Sequence, residues 1–376
     1  MTDALQLAPQ LYHFSRDALH ALFSSLGCPS STPVWMPSYH CGMEVRAAAD
    51  AGFSPHFYRV NKDLSVDVDD LAAGLRHRPG PVLLIHYFGF PQPNTVSIAS
   101  LCRQFKVPLI EDCSHAFLSR LEGRELGTFG QAATFSLYKT LGTSDGGALR
   151  SDVAELERLT RRRCVLPAKR RLSTIAWHAS QKRIRLLSGN ARFFSWRGRR
   201  TYGALAAAFA TRAARAKRRI FEGEWNYGRD ISRFSHALIQ RLDAEIVLKR
   251  RRRNYLRLDS LLRGAPGYDP VLSELQPDTC PLYLPIFVPH REEILIKLQF
   301  ALVETFIFGM FNHPAMDTGR FPESRRLRED ILCLPVHQNL DESDLKRIAS
   351  LLRPLLASRP DYSGFGLSAE KGERHE

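Results

Sequence analysis

Across its first 150 residues the chain alternates short apolar runs of five or six residues with amphipathic segments two or three helical turns long. Ser15 is placed to cap a helix whose inward face is Leu19, Leu22, Phe23 and Leu26, ending at Gly27. Strands are expected at Val34–Ser38, His56–Val60, Val82–Tyr87, Val107–Glu111 and Ala132–Leu137. Helices are expected at Glu44–Ala51, at Val68–Arg76 behind Asp67, and at Thr95–Phe105. Such alternation favours an α/β fold with a mostly parallel central sheet and helices on both faces. In sheets of this kind the chemistry gathers beyond the carboxyl ends of the strands. Farther along, Ser232–Leu262 reads as one long helix with Phe234, Leu238, Leu242 and Ile246 on one face, carrying the run Lys249–Arg253. Strand patterns at Leu282–Val288 and Ile331–Leu334 precede a terminal helix from Asp341, with Leu345, Ile348, Leu351 and Leu352 inward. These predict a smaller C-terminal α+β domain.

The charge divides the chain further. Of 376 residues, 53 are Lys or Arg and 39 are Asp or Glu, a formal net charge of +14. Residues 158–221 hold 19 Lys or Arg and no acid, so the remainder is mildly acidic. The expected organisation is a large domain over 1–157, a basic insert over 158–221, a connecting helical segment over 222–262, a small domain over 263–357 and a polar, flexible tail over 358–376. Several readings stay open for the insert. One is a solvated insertion; another is a clamp for a pyrophosphate or an acidic glycan. A third is attachment to an anionic membrane surface, because Trp177, Phe193, Phe194 and Trp196 interleave with Lys182, Arg183, Arg192 and Arg197. No DNA- or RNA-binding motif accompanies the basic residues, which argues against nucleic acid. The seven cysteines form no C-x-x-C pair, which disfavours zinc and a disulfide framework. The N-terminal stretch lacks a cationic flank, and no run reaches the roughly 20 apolar residues of a membrane span. The expected location is the cytoplasm, with the inner membrane surface as an alternative for the insert.

Three segments end at strand tips and carry ionisable side chains. Asp112 follows an apolar strand, with His115 three residues on; Ser136 and Lys139 close another strand before Gly146-Gly147; Ser15, Arg16 and Asp17 open a helix. Together they supply an anion site, a lone carboxylate and a lone amine at one sheet edge. Pyridoxal 5′-phosphate (PLP) needs that set: a helix N-terminus for its phosphate, an acid for its ring nitrogen and a lysine for a Schiff base. Each residue also has a structural reading, as a helix cap, a turn residue, a packed histidine or a solvated amine. Composition and periodicity do not choose between the two.

The ordered motifs Ser15-Arg-Asp-Ala-Leu19, Met36-Pro-Ser-Tyr-His-Cys41, Ile85-His-Tyr-Phe-Gly-Phe-Pro91, Ile110-Glu-Asp-Cys-Ser-His-Ala116, Gly127-Thr-Phe-Gly130, Phe135-Ser-Leu-Tyr-Lys139 with Asp145-Gly-Gly147, and Leu334-Pro-Val-His337 resemble the DegT/DnrJ/EryC1/StrS family of PLP-dependent sugar aminotransferases. The insert lies outside the resemblance. The resemblance implies a fold-type-I PLP-dependent transferase and a homodimer. It implies that Lys139 holds the cofactor covalently and shuttles the reaction's proton, that Asp112 pairs with the pyridinium nitrogen, and that His115 lies near the cofactor's 3-oxygen. Ser136, with Ser15, Arg16 and Asp17 at the helix N-terminus, would bind the phosphate. Asn226 would reach the neighbouring subunit's phosphate.

The chain departs from the family in places. Cys41 stands where an aromatic residue commonly stacks on the ring, leaving Tyr39 or His40 for that part. Asp145 replaces a common Glu before Gly-Gly, and Asp17 sets an acid beside the phosphate site. The implied reaction moves an amino group from an amino acid, glutamate being the expected donor, to a keto-sugar carried on a nucleotide, in cell-surface polysaccharide or secondary-metabolite synthesis. The alternative is a catalytically weakened relative acting as a cationic scaffold at a membrane or a glycan-assembly site.

Overall fold

The computed structural model describes residues 10–152, 225–288, 291–310, 312–314 and 316–357. The basic insert and the C-terminal tail lie outside the described residues. Seven strands form the main sheet: β1 (Gln10–Tyr12), β2 (Pro33–Pro37), β3 (Ser54–Tyr58), β4 (Val82–Ile85), β5 (Leu109–Cys113), β8 (Ala132–Ser136) and β9 (Gly147–Ser151). A two-stranded ribbon, β6 (Arg120–Leu121) and β7 (Arg124–Glu125), stands apart. The spatial order is β1-β9-β8-β5-β4-β2-β3. β8, β5, β4, β2 and β3 run parallel, while β9 pairs antiparallel with both β8 and β1. The sheet is thus mostly parallel with one antiparallel edge.

Helices α1 (Ser15–Ser25), α2 (Met43–Asp50), α3 (Val68–His77) and α4 (Thr95–Phe105) cover it. Successive strand residues point to opposite faces, and β4 shows the consequence. Leu83 packs with Leu22, Phe23 and Val45 of α1 and α2, whereas Val82 and Leu84 pack with Leu71, Leu75 and Ile98 of α3 and α4. Asp67 caps α3 by accepting the N–H of Asp70 at 3.0 Å, as its sequence position predicts. Ser15 does not cap α1. Phe14 occupies the N-cap position with no side-chain bond, and the Ser15 hydroxyl turns to Ser136 instead.

Beyond the insert, the expected single helix is two: α6 (Arg233–Ile239) and α7 (Ala244–Leu262). Asp243 separates them, accepting the N–H groups of Glu245 and Ile246 at 2.9 and 3.2 Å and so opening a new helix. The restart rotates the buried face. Ile246 is 48% exposed, and Val247, Tyr255, Leu258 and Leu262 point inward with Arg251 and Asn254. A three-stranded antiparallel sheet follows, ordered β10 (Asp269–Pro270), β11 (Tyr283–Phe287), β12 (Ile331–Pro335), with helices α8 (Arg291–Phe300), α9 (Pro322–Asp330) and α10 (Glu342–Ala357). Its core is continuous with one face of the main sheet: Leu284, Leu334 and Leu352 belong to the same buried cluster as Val82 and Leu84. α7 belongs to that cluster through Leu258 and Leu262.

Candidate active site

Asp112 sits near the carboxyl end of β5, 8% exposed, with Oδ1 accepting the N–H of Ser114 at 2.8 Å. His115 lies one turn beyond. Its ring stacks against Phe88 and meets Phe308 edge-on at 4.9 Å, and its Nδ1 accepts the N–H of Phe88 at 3.4 Å. Burial, with the Lys139 charge adding to it, holds His115 far below the usual imidazole range and keeps the ring neutral. Lys139 is carried by α5 (Leu137–Leu141), the single turn that follows β8.

These three side chains share the wall of a small cavity of ≈ 90 Å³ with Ser15, Arg16 and Phe308. Lys139 and Tyr138 also line a second cavity of ≈ 600 Å³, whose other walls include Arg251, Tyr283, Phe306, Gln338 and the pair Glu304–His337, 3.6 Å apart. The lysine therefore separates two rooms, one small with a carboxylate and a helix N-terminus, one large and mostly walled by the small sheet's connections.

The helix N-terminus is pressed close by glycine. A Cβ on Gly147 would come within 2.2 Å of the Phe14 carbonyl carbon and 2.5 Å of the Ser15 nitrogen, so only glycine lets β9 pass beneath the start of α1. Ser15 Oγ then reaches Ser136 Oγ at 2.8 Å, joining α1 to the end of β8. The Arg16 guanidinium is held between the rings of Phe14 and Trp225 at 4.4 and 4.5 Å. Asp17 turns its side chain away from the cavity. Its N–H already donates to Phe14 O at 3.0 Å, and its side chain is 2% exposed and off the cavity wall. Burial raises its carboxyl above the usual range despite the opposing charge of Arg16.

Asn226 is exposed and lines neither cavity. Its neighbours are fixed: Tyr227 stacks on His20 at 3.9 Å and donates to Asp50 Oδ2 at 2.8 Å.

A second acidic centre stands behind the site. Glu111 is fully buried and accepts the N–H groups of Gly127, Phe129 and Gly130 at 2.8, 2.7 and 2.7 Å, with His86 Nε2 at 3.1 Å. Burial alone would push its carboxyl up; His86 and these amides outweigh it and hold it below the usual range. Glu111, His86 and Cys113 have ligand atoms within 4.8 Å of one another. Glu111 is already spent on the 127–130 turn and on His86, and His86 on Gln92 N, 2.9 Å from its Nδ1, so these two side chains serve the fold.

The profile described as the DegT/DnrJ/EryC1/StrS aminotransferase family matches residues 15–183. Over that stretch the chain is similar to this family. It is 30% identical to the GDP-perosamine synthase of Vibrio cholerae over 138 residues, 36% of this chain and 37% of that protein. It is 26% identical to the dTDP-4-dehydro-2,3,6-trideoxy-D-glucose 4-aminotransferase of Saccharopolyspora spinosa over 360 residues, 92% of this chain and 84% of that one. Among solved structures, the Helicobacter pylori aminotransferase PseC superposes with a TM-score of 0.69 at 16% identity, covering 94% of this chain and 89% of the other. The aminotransferase TlmJ of Streptoalloteichus hindustanus gives 0.65 at 23% identity, with coverage of 94% and 89%. The fold is the fold-type-I architecture of PLP-dependent transferases.

The wall around Cys41 departs from the expectation drawn from the resemblance. Neither Tyr39 nor His40 takes the place of the missing aromatic. Both are fully buried: Tyr39 donates its hydroxyl to Phe308 O at 3.2 Å, and His40 stacks on Phe57. A strand residue next to an inward one faces away, and here the turn after β2 sends Cys41 itself to the cavity. The Cys41 thiol donates to Glu44 Oε2 and its backbone N–H to Oε1, each at 2.8 Å. Glu44 shares that wall, and burial, then the nearby Asp112, raises its carboxyl. Glu44, Met43, Thr134 and Phe308 were not expected at the site. The Cys-x-x-Glu spacing at the start of α2 was the only sequence signal for any of them.

Proposed function

We propose that this protein is a PLP-dependent aminotransferase that moves an amino group from an amino acid to a keto-sugar carried on a nucleoside diphosphate. The observation that carries the reading is Lys139 standing between the two cavities, with Asp112 and the α1 N-terminus on the smaller one. The donor set fits PLP. Asp112 offers a buried carboxylate for a ring N–H, Ser15 and the start of α1 on the cavity wall offer an anion site, and Lys139 offers an amine between them. The buried Ser136 lines neither cavity and is bonded to Ser15 behind that wall. When bound, PLP supplies an electrophilic carbon for amines and an electron sink for the carbanion that transamination creates.

The chain's own residues do the rest. Asp112 keeps the ring nitrogen protonated. Neutral His115 packs beside it without adding a competing positive charge. Lys139 removes the proton from the donor's Cα and later returns one to the sugar carbon that receives nitrogen. The larger cavity takes the donor and then the sugar, as a two-stage exchange requires. Glutamate is the expected donor. Asn226, exposed in one chain, would complete the phosphate site of a partner subunit in a homodimer. The relatives that act on GDP-, dTDP- and UDP-linked sugars support the acceptor class.

The test is a visible absorption spectrum of the purified protein before and after glutamate, with borohydride reduction and peptide mapping. A cofactor band that glutamate shifts, and a reduced adduct on Lys139 that Lys139→Ala lacks, are expected. Protein that is colourless and takes up no added PLP refutes the reading and favours the scaffold alternative.

A further inference from the structure

The turn that bears Lys139 is too short to hold itself. α5 has five residues, and a helix leaves its last four carbonyls without intrahelical partners. Tyr138 O accepts the N–H of Gly142 at 2.9 Å. The next two carbonyls are taken by a side chain from a distant element. Arg251 of α7 donates Nη2 to Lys139 O at 3.3 Å and to Thr140 O at 2.9 Å, and Nη1 to Pro281 O at 3.3 Å and Leu282 O at 3.2 Å. Gln338, just past β12, adds a bond from Nε2 to Thr140 O at 3.2 Å.

Arg251 is 3% exposed, and its four described acceptors are all backbone carbonyls rather than a carboxylate. Buried guanidinium groups ordinarily meet an acid, because an unpaired charge is costly away from water. Here the compensation comes from carbonyl dipoles, including those at the C-terminal end of α5, where positive charge is favoured. A methionine or leucine would fill the volume without that desolvation cost. The guanidinium does something they cannot: its rigid fork spans two carbonyl pairs and ties the lysine turn to the segment entering β11. The same residues, Arg251, Leu282 and Gln338, line the larger cavity.

We propose that Arg251 is a positioning residue for Lys139, bolting its turn to the small sheet so that the amine is presented between the two cavities. The consequence for chemistry rests on the aminotransferase reading; the bolt itself does not. Lysine is a poor substitute, since one ammonium cannot reach both carbonyl pairs in a plane.

The experiment compares wild type with Arg251→Met, Arg251→Lys and Arg250→Met, the last an exposed neighbour on the same helix. The first arm uses cofactor-free protein and measures reductive methylation of each lysine by peptide mass spectrometry. Exposed Lys106, Lys249 and Lys346 serve as internal standards. In Arg251→Met, Lys139 should be methylated about ten-fold faster relative to those standards as its turn frays. The second arm adds PLP and follows the borohydride-fixed adduct on Lys139, which should form on the order of 10²-fold more slowly, the scale of a ~1 Å misplacement. Arg251→Lys should recover only part of both effects, and Arg250→Met should match wild type.

Opposite changes at one lysine, faster labelling and slower adduct formation, are not produced by general loss of stability. Unchanged Lys139 labelling in Arg251→Met, labelling that rises equally at all lysines, or full recovery by Arg251→Lys would overturn the proposal. If Arg251→Met gives no cooperative melt, Gln338→Ala is read the same way. It should move both rates in the same directions by a smaller factor, and no movement counts against the bolt. A wild type that forms no adduct defeats the aminotransferase reading alone, and the labelling arm then decides Arg251 by itself.

Discussion

Replacing Asp145 by asparagine removes a charge from a position with no access to solvent. Its carboxylate gathers four donors from two distant parts of the chain. His13 Nδ1 lies 3.0 Å from Oδ2, the Ser232 N–H 2.8 Å from the same oxygen, the Ser232 hydroxyl 2.7 Å from Oδ1, and the Ser235 hydroxyl also bonds Oδ1. His13 lies two residues before the start of α1; Ser232 and Ser235 belong to the chain's return from the basic insert. One side chain thus holds the segment leading into α1, the Gly146-Gly147 turn and α6 together. Charge-assisted bonds contribute ~1 kcal/mol more than neutral ones, so four of them falling to neutral strength costs about 3–4 kcal/mol. At ~2–4 °C per kcal/mol for a large domain, the melting midpoint should fall by roughly 6–16 °C.

The pH dependence gives an independent check. Burial pushes the Asp145 carboxyl up, but His13, then Ser235 and Ser232, outweigh it and hold it below the ordinary aspartate range. A depressed folded value stabilises the fold above the unfolded aspartate value, and the stabilisation is lost as the pH falls through the folded one. Thermal melts followed by circular dichroism at neutral pH and along an acid series should therefore show two things in Asp145→Asn: a lower midpoint at neutral pH and a shallower decline toward acid. A midpoint within about 2 °C of wild type, or an unchanged acid slope, would refute the reasoning.

Glu111→Gln should lower stability by ~3–5 kcal/mol, because a buried amide cannot accept from three backbone N–H groups and His86 as a carboxylate does; chemical denaturation measures it, and a loss below about 1 kcal/mol would count against the charge. Gly147→Ala should cost about 1–3 kcal/mol and weaken PLP retention on gel filtration more than the melting shift explains, since the added carbon strikes Phe14 and Ser15; unchanged retention would mean that the α1 terminus does not form the phosphate site. Residues 158–221, with 19 basic residues and no acid, should bring the protein up with anionic but not neutral liposomes on flotation, with binding lost as salt rises. No flotation with anionic vesicles at low salt would remove the membrane reading of the insert.

Much of the main sheet was legible because its strands are continuous apolar runs and its helices carry clear period and caps. Thr95–Phe105 has the bounds its pattern predicts, and Asp67 caps the helix behind it. The elements that were not legible lack such signals. β9 is five residues beginning at Gly147 and is held by pairing with β1 and β8 rather than by its own composition. α9 reads as a polar run, and its place is set by Leu327 and by Arg328, which is buried against Ser38. The break between α6 and α7 hides because both halves keep a helical period, and only the Asp243 cap marks the restart.

The site divides the same way. Asp112, His115, Lys139 and the start of α1 follow from strand ends and family motifs, since a residue at a parallel strand's carboxyl end faces the same edge wherever the helices lie. Side-chain direction and partnership are different, because they depend on how separate segments pack. Packing alone turned Tyr39 and His40 into core residues, sent Cys41 and Glu44 to the cavity wall and took the Ser15 hydroxyl from capping to Ser136. Arg251 shows the difference most plainly. In the sequence it is one cation in the run Lys249–Arg253, indistinguishable from its solvated neighbours; in the fold it is the one of them whose donors reach the carbonyls of Lys139 and Thr140. Local sequence sets period, caps and charge. Which charge is buried, and against what, is settled only when elements more than a hundred residues apart meet.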